Sequence, residues 1–323
     1  MSLQYYPVFL QAISKRWLRH TLLFICGLLA TLSLPPFFWS PLLIPAICGL
    51  FLIMNEAPTI KRAFWDGWWW GWGFYMGGLY WFCIALLTDA EKFAWLIPFA
   101  LFGLTGVIAI YSGIITAITK ALRISGIWQI ALFVLVWTVV EYGRGHLFTG
   151  FPWNLAGYTF AGNDAAIQLA SIIGAYGLTL IAVWLAIVPV LLIIQHKHGW
   201  KIIITSYAFL AVAIGWGSMR LATADQLPEA ELTVPGVMMR LVQANILQHH
   251  KWDPRLQFKG LEEQVRLSNL PGAEKVTHII WPETAMPYVL SDQSPVLEFL
   301  AESIPPHTEL LAGTMGQQGE GVR

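Results

Sequence analysis

The sequence predicts a multi-span α-helical membrane bundle of about seven spans followed by an incomplete α/β domain, and three observations carry that expectation. The first is composition: 56% of the 323 residues are hydrophobic, 12% are charged and 17 are Trp, which excludes a wholly soluble chain. The second is charge placement. Residues 1–220 hold 12 Lys/Arg and 6 Asp/Glu, whereas residues 221–323 hold 7 and 13, so a net zero conceals two regions of opposite sign. The third is a change of pattern. Long apolar runs stop near residue 220, an acidic, Pro-containing linker covers 221–236, and residues 237–323 alternate short strand-like and helix-like segments.

A bilayer span takes roughly 20 mostly apolar residues. Stretches at 18–36, 38–55, 64–88, 93–118, 127–145, 166–194 and 201–219 qualify, the first two interrupted by Pro35, Pro36, Pro41 and Pro45. The basic, then apolar N-terminus reads as a retained anchor rather than a cleaved signal. Lys15, Arg16, Arg19, Lys61, Arg62, Lys120, Arg123, Lys197 and Lys201 fall on one side, against Lys92, Arg144 and Arg220 on the other. The positive-inside rule then makes the N-terminus cytoplasmic and, for an odd number of spans, puts residues from 221 onward outside. In the third span Gly67/Gly71 and Gly73/Gly77 are small-xxx-small pairs suited to close helix contact. The cluster Trp65, Trp68, Trp69, Trp70 and Trp72 reads as an interfacial anchor. Cys26, Cys48 and Cys83 lie far apart in apolar runs and carry no metal-ligand or redox spacing.

The outer loop after the fifth span runs Glu141-Tyr-Gly-Arg144-Gly-His-Leu-Phe-Thr-Gly150-Phe-Pro-Trp153. Glu141 and Arg144 are three apart at a helix end, a natural ion pair that is also placed to meet a lipid headgroup. Gly150, Pro152 and Trp153 predict a rigid turn at the interface. Ionisable residues sit near span ends rather than in mid-span, which disfavours a transporter.

In the outer part, strands are expected at 237–246, 277–281 and 309–313, and helices at 254–270 and 295–304. Pro282 ends the second strand, so Glu283 falls on the first turn beyond it, where α/β sheets present their ligand-binding side chains. A carboxylate flanked in sequence by Trp281, Met286 and Tyr288 is a candidate general base.

These residues resemble a known family. Leu34-Pro-Pro-Phe37, Gly67-Trp-Trp-Trp-Gly-Trp-Gly73, Gly78-Leu-Tyr-Trp81, the Glu141–Trp153 loop, Leu241-Val-Gln-Ala-Asn-Ile246, Lys251-Trp-Asp-Pro254 and Trp281-Pro-Glu-Thr284 are similar, in order, to motifs of the bacterial apolipoprotein N-acyltransferases. The resemblance implies a helical bundle in the bacterial inner membrane joined to an extracytoplasmic nitrilase-type (αββα) domain. It implies transfer of an acyl chain from a membrane phospholipid to the amino group of a diacylglyceryl-apolipoprotein, through a thioester on Cys, with a Glu as base and a Lys stabilising the oxyanion. By motif Glu283 is the base and Trp252 lies near the mouth of the site. Glu141, Arg144 and Trp153 are the candidate lipid contacts. No cofactor, metal or nucleic acid is expected.

The chain departs from that pattern at one point: no Cys follows Cys83 and no Lys follows Lys275. The expectation is therefore an amino-terminal portion of such an enzyme, inactive by itself. The competing expectations are a membrane scaffold or lipid-binding remnant, a split enzyme completed by another polypeptide and, less favoured, a transporter.

Overall fold

The computed structural model describes residues 14–87, 89–224, 233–289 and 294–315. Residues 1–13, most of the expected linker (225–232) and the tail at 316–323 lie outside the described residues. The chain divides into two units, Met1–Asp225 and Gln226–Arg323.

Helices occupy all seven apolar stretches: α1 (Arg16–Thr31), α2 (Leu43–Asn55), α3 (Ile60–Leu79), α4 (Thr105–Ala121), α5 (Ile127–His146), α6 (Ala170–Ile187) and α7 (Gly199–Ala224). Among the described residues four helical segments, Ala90–Ala121, Ile127–His146, Ala170–Ile193 and Gly199–Ala224, are long and apolar enough to cross a bilayer, the length and composition of a membrane protein. α1 has 16 residues, which at about 1.5 Å per residue falls short of a hydrocarbon core of about 30 Å. α2, with its leading turn, runs only Ser40–Asn55. α3 has the length, 20 residues, but Lys61, Arg62, Asp66 and its glycines dilute its apolarity.

Three interruptions depart from the expected runs. α3 stops at Leu79, and Phe82–Leu86 is a separate short helix beyond a turn at Tyr80 and Trp81. The fourth segment widens into a π-helical stretch at Phe99–Leu104, where the Thr105 hydroxyl donates to the Leu101 carbonyl. α6 kinks at Gly174, whose φ of 66° suits glycine.

α3 is the centre of the bundle, packed on α1 and α4. Its glycine pairs face different neighbours. A Cβ on Gly71 would lie 2.6 Å from the Ser112 Cβ on α4, while one on Gly73 would lie 3.2 Å from the Leu28 nitrogen on α1. Backbones approach this closely only without side chains between them. The tryptophans of α3 also bind the bundle together. Trp70 is fully buried and donates to the Ala46 carbonyl at 3.1 Å; Trp68 and Trp72 donate to Gly106 and Phe102 at 2.8 and 3.1 Å. They tie α3 to α2 and to the fourth segment, and Trp65 alone among the five stays exposed. Buried Arg19 joins α1 to both neighbours, with Nε 2.7 Å from an Asp66 oxygen and Nη2 donating to the Ile53 carbonyl at 2.6 Å.

In the second unit, β1 (Met239–Leu241), β2 (His278–Ile280) and β4 (Glu309–Leu311) form a parallel sheet in the order β1-β2-β4. α8 (Gln257–Ser268) connects β1 to β2, and α9 (Pro295–Ser303) lies between β2 and β4. The strands are shorter than their apolar runs because pairing covers three residues of each. A second, two-stranded parallel sheet of β3 (Met286–Val289) and β5 (Thr314–Met315) was not expected, since Pro287 argues against a strand. Val242, Leu261, Ile279, Trp281, Met286 and Leu300 make the core. Arg240 fastens the end of α8 by donating to the carbonyls of Ser268, Leu270 and Pro271 at 2.7, 2.8 and 2.9 Å.

Candidate functional site

In the second unit the chain leaves β2 through Trp281 and Pro282, at the carboxyl end of the parallel strands. Trp281 turns into the core, where its Nε1 donates to the Ser268 hydroxyl at 2.9 Å. Met286 is buried in the same core, so neither encloses Glu283, whose side chain is exposed. The expected apolar surroundings of this carboxylate are not formed by these neighbours. Glu283 instead borders a cavity of about 160 Å³ lined by the 243–246 segment, Lys251, Gln264 and the 282–285 turn.

The cavity is polar and its backbone is strained. Lys251 Nζ donates to the Glu283 carbonyl at 3.3 Å, which brings an ammonium to the same turn as the carboxylate. Gln264 is fully buried, its Nε2 donating to the Ala285 carbonyl at 2.8 Å while its Oε1 has no partner. Asn245 and Thr284 hold φ of 48° and 49°. For a β-branched residue such as Thr284 that is an outlier of the kind found at ligand sites. Gly313 is required beneath it, because a Cβ there would lie 2.6 Å from the Thr284 nitrogen. Trp252 is exposed beside Lys251, on a turn where Arg255 hydrogen bonds hold the Asp253 carboxyl below its ordinary pKa. Sequence reasoning gave no role to Lys251, Gln264, Asn245 or Thr284. Gln264 had a signal: it shares the buried face of α8 with Leu261 and Ser268.

In the membrane unit the Glu141–Trp153 loop folds back over the end of α5. Glu141 and Arg144, 3% and 1% exposed, are inside and not open to a headgroup. Glu141 accepts from Trp137 Nε1 at 3.1 Å, from the Thr179 hydroxyl at 2.9 Å and from the Ala156 amide at 3.3 Å. Arg144 lies 3.9 Å from the Glu141 carboxylate and donates to the carbonyls of Phe151 and Trp153 at 2.7 and 2.6 Å, with its guanidinium 5.3 Å from the Tyr75 ring centroid. The pair thus pins the loop from both ends of its turn. What the loop presents outward is apolar: Phe148 is 98% exposed, and Trp153 is exposed and packs edge-on to Trp81 at 5.3 Å. Thr179, which also accepts from the Gly157 amide at 3.1 Å, is part of this latch and was missed, since nothing local in sequence links it to Glu141.

The three cysteines lie in the membrane unit, and the Cys48 thiol donates to the Ala186 carbonyl at 3.2 Å. The second unit therefore offers a carboxylate, an ammonium and a buried amide around one cavity, without a thiol.

Residues 26–188 match the family described as apolipoprotein N-acyltransferase N-terminal domain. Proteins named apolipoprotein N-acyltransferase are similar along nearly the whole chain. The one from Caulobacter vibrioides is 34% identical over 315 residues, and those from Rhodopseudomonas palustris and Brucella melitensis are 32% identical over 313 and 316. The alignments cover 93–95% of this chain and 58% of each of these relatives, so the chain spans under two thirds of their length. With the helical bundle, the latched loop and the Glu283 turn in the order these motifs require, the chain belongs to the apolipoprotein N-acyltransferase family.

Proposed function

We propose that this chain is the lipid-handling and base-bearing part of an enzyme that moves an acyl group from a membrane phospholipid to the amino group of a diacylglyceryl-apolipoprotein. The observation that carries this reading is the Glu283 turn, where a carboxylate, Lys251 and the buried Gln264 border one polar cavity at the carboxyl end of a parallel sheet. In this reading the bundle crosses a bacterial inner membrane seven times, and the second unit is the beginning of an extracytoplasmic nitrilase-type domain. Both substrates are lipid-anchored, so in this reading the reacting groups, Glu283 included, belong at the outer face, which the charge bias of the loops supports.

The chemistry assigned to the complete enzyme is a two-step transfer. A Cys thiol loses its proton to Glu283 and attacks the phospholipid ester; the lysophospholipid leaves as an alcohol, taking up that proton. The neutral amine of the acceptor then attacks the thioester; the C–N bond forms, the C–S bond breaks, and the proton lost by nitrogen passes through Glu283 to the departing sulfur, regenerating the thiol. In this reading Trp252, which is exposed, meets acyl chains. Glu141 and Arg144 act as positioning residues for the loop that offers Trp153 and Phe148 to lipid, rather than touching a headgroup themselves.

The 323 residues hold no Cys beyond Cys83 and no Lys beyond Lys275, so in this reading they do not turn over alone. The test is acyl transfer from phosphatidylethanolamine to a diacylglyceryl-cysteine peptide, read by mass, for the purified chain alone and with a second polypeptide carrying the family's Lys and Cys. Transfer only in the second case supports the reading. Transfer by the chain alone refutes the assigned thiol chemistry, and none in either case favours a non-catalytic, lipid-binding protein.

A further inference from the structure

We propose that the basic end of α1 and α3 forms a binding site for the headgroup of an anionic phospholipid, separate from the acyl-transfer apparatus. Among the described residues, Arg16, Trp17, His20, Trp65 and Trp69 line an open cavity of about 530 Å³. Its walls are aromatic: His20 stacks on Trp69 with centroids 4.9 Å apart, and Trp17 and Trp65 are exposed at its rim. Indoles in such a position sit at headgroup level. The His20 Nε2 is buried and has no hydrogen-bond partner.

The charge around the cavity is unbalanced. Residues 14–20 and 56–66 hold five Lys/Arg against two Asp/Glu. Asp66 is consumed by Arg19, which grips both of its oxygens, with Arg62 a further 3.9 Å contact. Lys15, Arg16 and Lys61 form no ion pair among the described residues. Arg16, Arg19 and Arg62 all bear electrostatically on His20 at the cavity wall. A zwitterionic headgroup leaves this field uncompensated. A phosphodiester with net negative charge neutralises it while its glycerol lies against the indoles, which is the chemistry of basic pockets at membrane surfaces.

The experiment is native mass spectrometry of the 323-residue protein in micelles holding equal amounts of phosphatidylglycerol and phosphatidylcholine with the same acyl chains. The expected result is preferential retention of phosphatidylglycerol. Arg16→Gln should lower it about fivefold, and Arg16→Gln with Arg62→Gln about 25-fold, the factors for about 1 kcal/mol per basic residue near an anionic headgroup. Arg16 is exposed and outside the Arg19–Asp66 pair, so its variant tests binding without disturbing the helix contacts. Lys197→Gln with Lys201→Gln, basic but outside the cavity lining, should leave retention unchanged. Equal retention of the two lipids, or an equal loss in the Lys197/Lys201 variant, overturns the proposal.

Discussion

Replacing Glu141 by Ala removes the acceptor for three buried donors. Trp137 Nε1 and the Ala156 amide lose their partner, while the Thr179 hydroxyl can rotate and still accept from Gly157. A buried donor left unsatisfied costs about 1–3 kcal/mol, so the first two amount to about 2–6 kcal/mol. The change also leaves the Arg144 charge, 1% exposed, without its carboxylate. Losing one partner of a buried pair costs about 3–5 kcal/mol, and the 3.9 Å separation places this pair at the lower end. The total, about 5–9 kcal/mol, is comparable to the whole stability of an ordinary domain. The assay is thermal unfolding in detergent, followed by intrinsic fluorescence, with limited proteolysis of the 147–155 segment at low temperature. Glu141→Ala should melt well below the parent and be cut in that segment, because Arg144 holds it through the Phe151 and Trp153 carbonyls. Glu141→Gln, which keeps one acceptor and the side-chain volume, should fall between the two. A melting temperature for Glu141→Ala within 2 °C of the parent, with an uncut loop, refutes the reasoning that this carboxylate is the latch.

Asp66→Asn should destabilise the membrane unit by about 3–5 kcal/mol by leaving Arg19 charged and buried; Arg19→Met with Asp66→Leu should recover most of that loss in the same thermal assay. Gly71→Leu should separate α3 from α4, costing at least about 1–3 kcal/mol, and a cysteine cross-link across the two helices should form more slowly in the variant. Gln264→Ala should free the Ala285 carbonyl at a cost of about 1–3 kcal/mol, seen as faster amide exchange over residues 283–286 with little change in the membrane unit.

The long, uniform features of the fold were legible in the sequence, and the local exceptions were not. Apolar runs of about 20 residues announce helices whatever their neighbours are, and helices lie in all seven stretches. The break after Leu79 and the π stretch at Phe99–Leu104 arise inside equally apolar sequence, where nothing in the pattern distinguishes one helical pitch from another. The Arg19–Asp66 pair joins residues 47 apart, beyond any i, i+4 reading. Glu141 and Arg144 were visible as a local pair, but their burial depends on a loop that returns over them and on Thr179, 38 residues away. Around Glu283, strand, proline and turn were readable in order. Its exposed side chain was not, because Trp281 and Met286 are committed to a core built from α8 and α9. β3 was hidden by Pro287, which the short two-stranded sheet tolerates.

The most direct test of the account asks whether Glu283 is the base. The chain is combined with a polypeptide supplying the family's Lys and Cys and given phosphatidylethanolamine without acceptor. The acyl-thioester on the supplied Cys is then measured by its lability to hydroxylamine, for Glu283 and for Glu283→Gln. The account predicts thioester with Glu283 and a rate lower by about 10²–10⁴ with Gln, the usual worth of a positioned general base. Equal rates of thioester formation in the two proteins would contradict it.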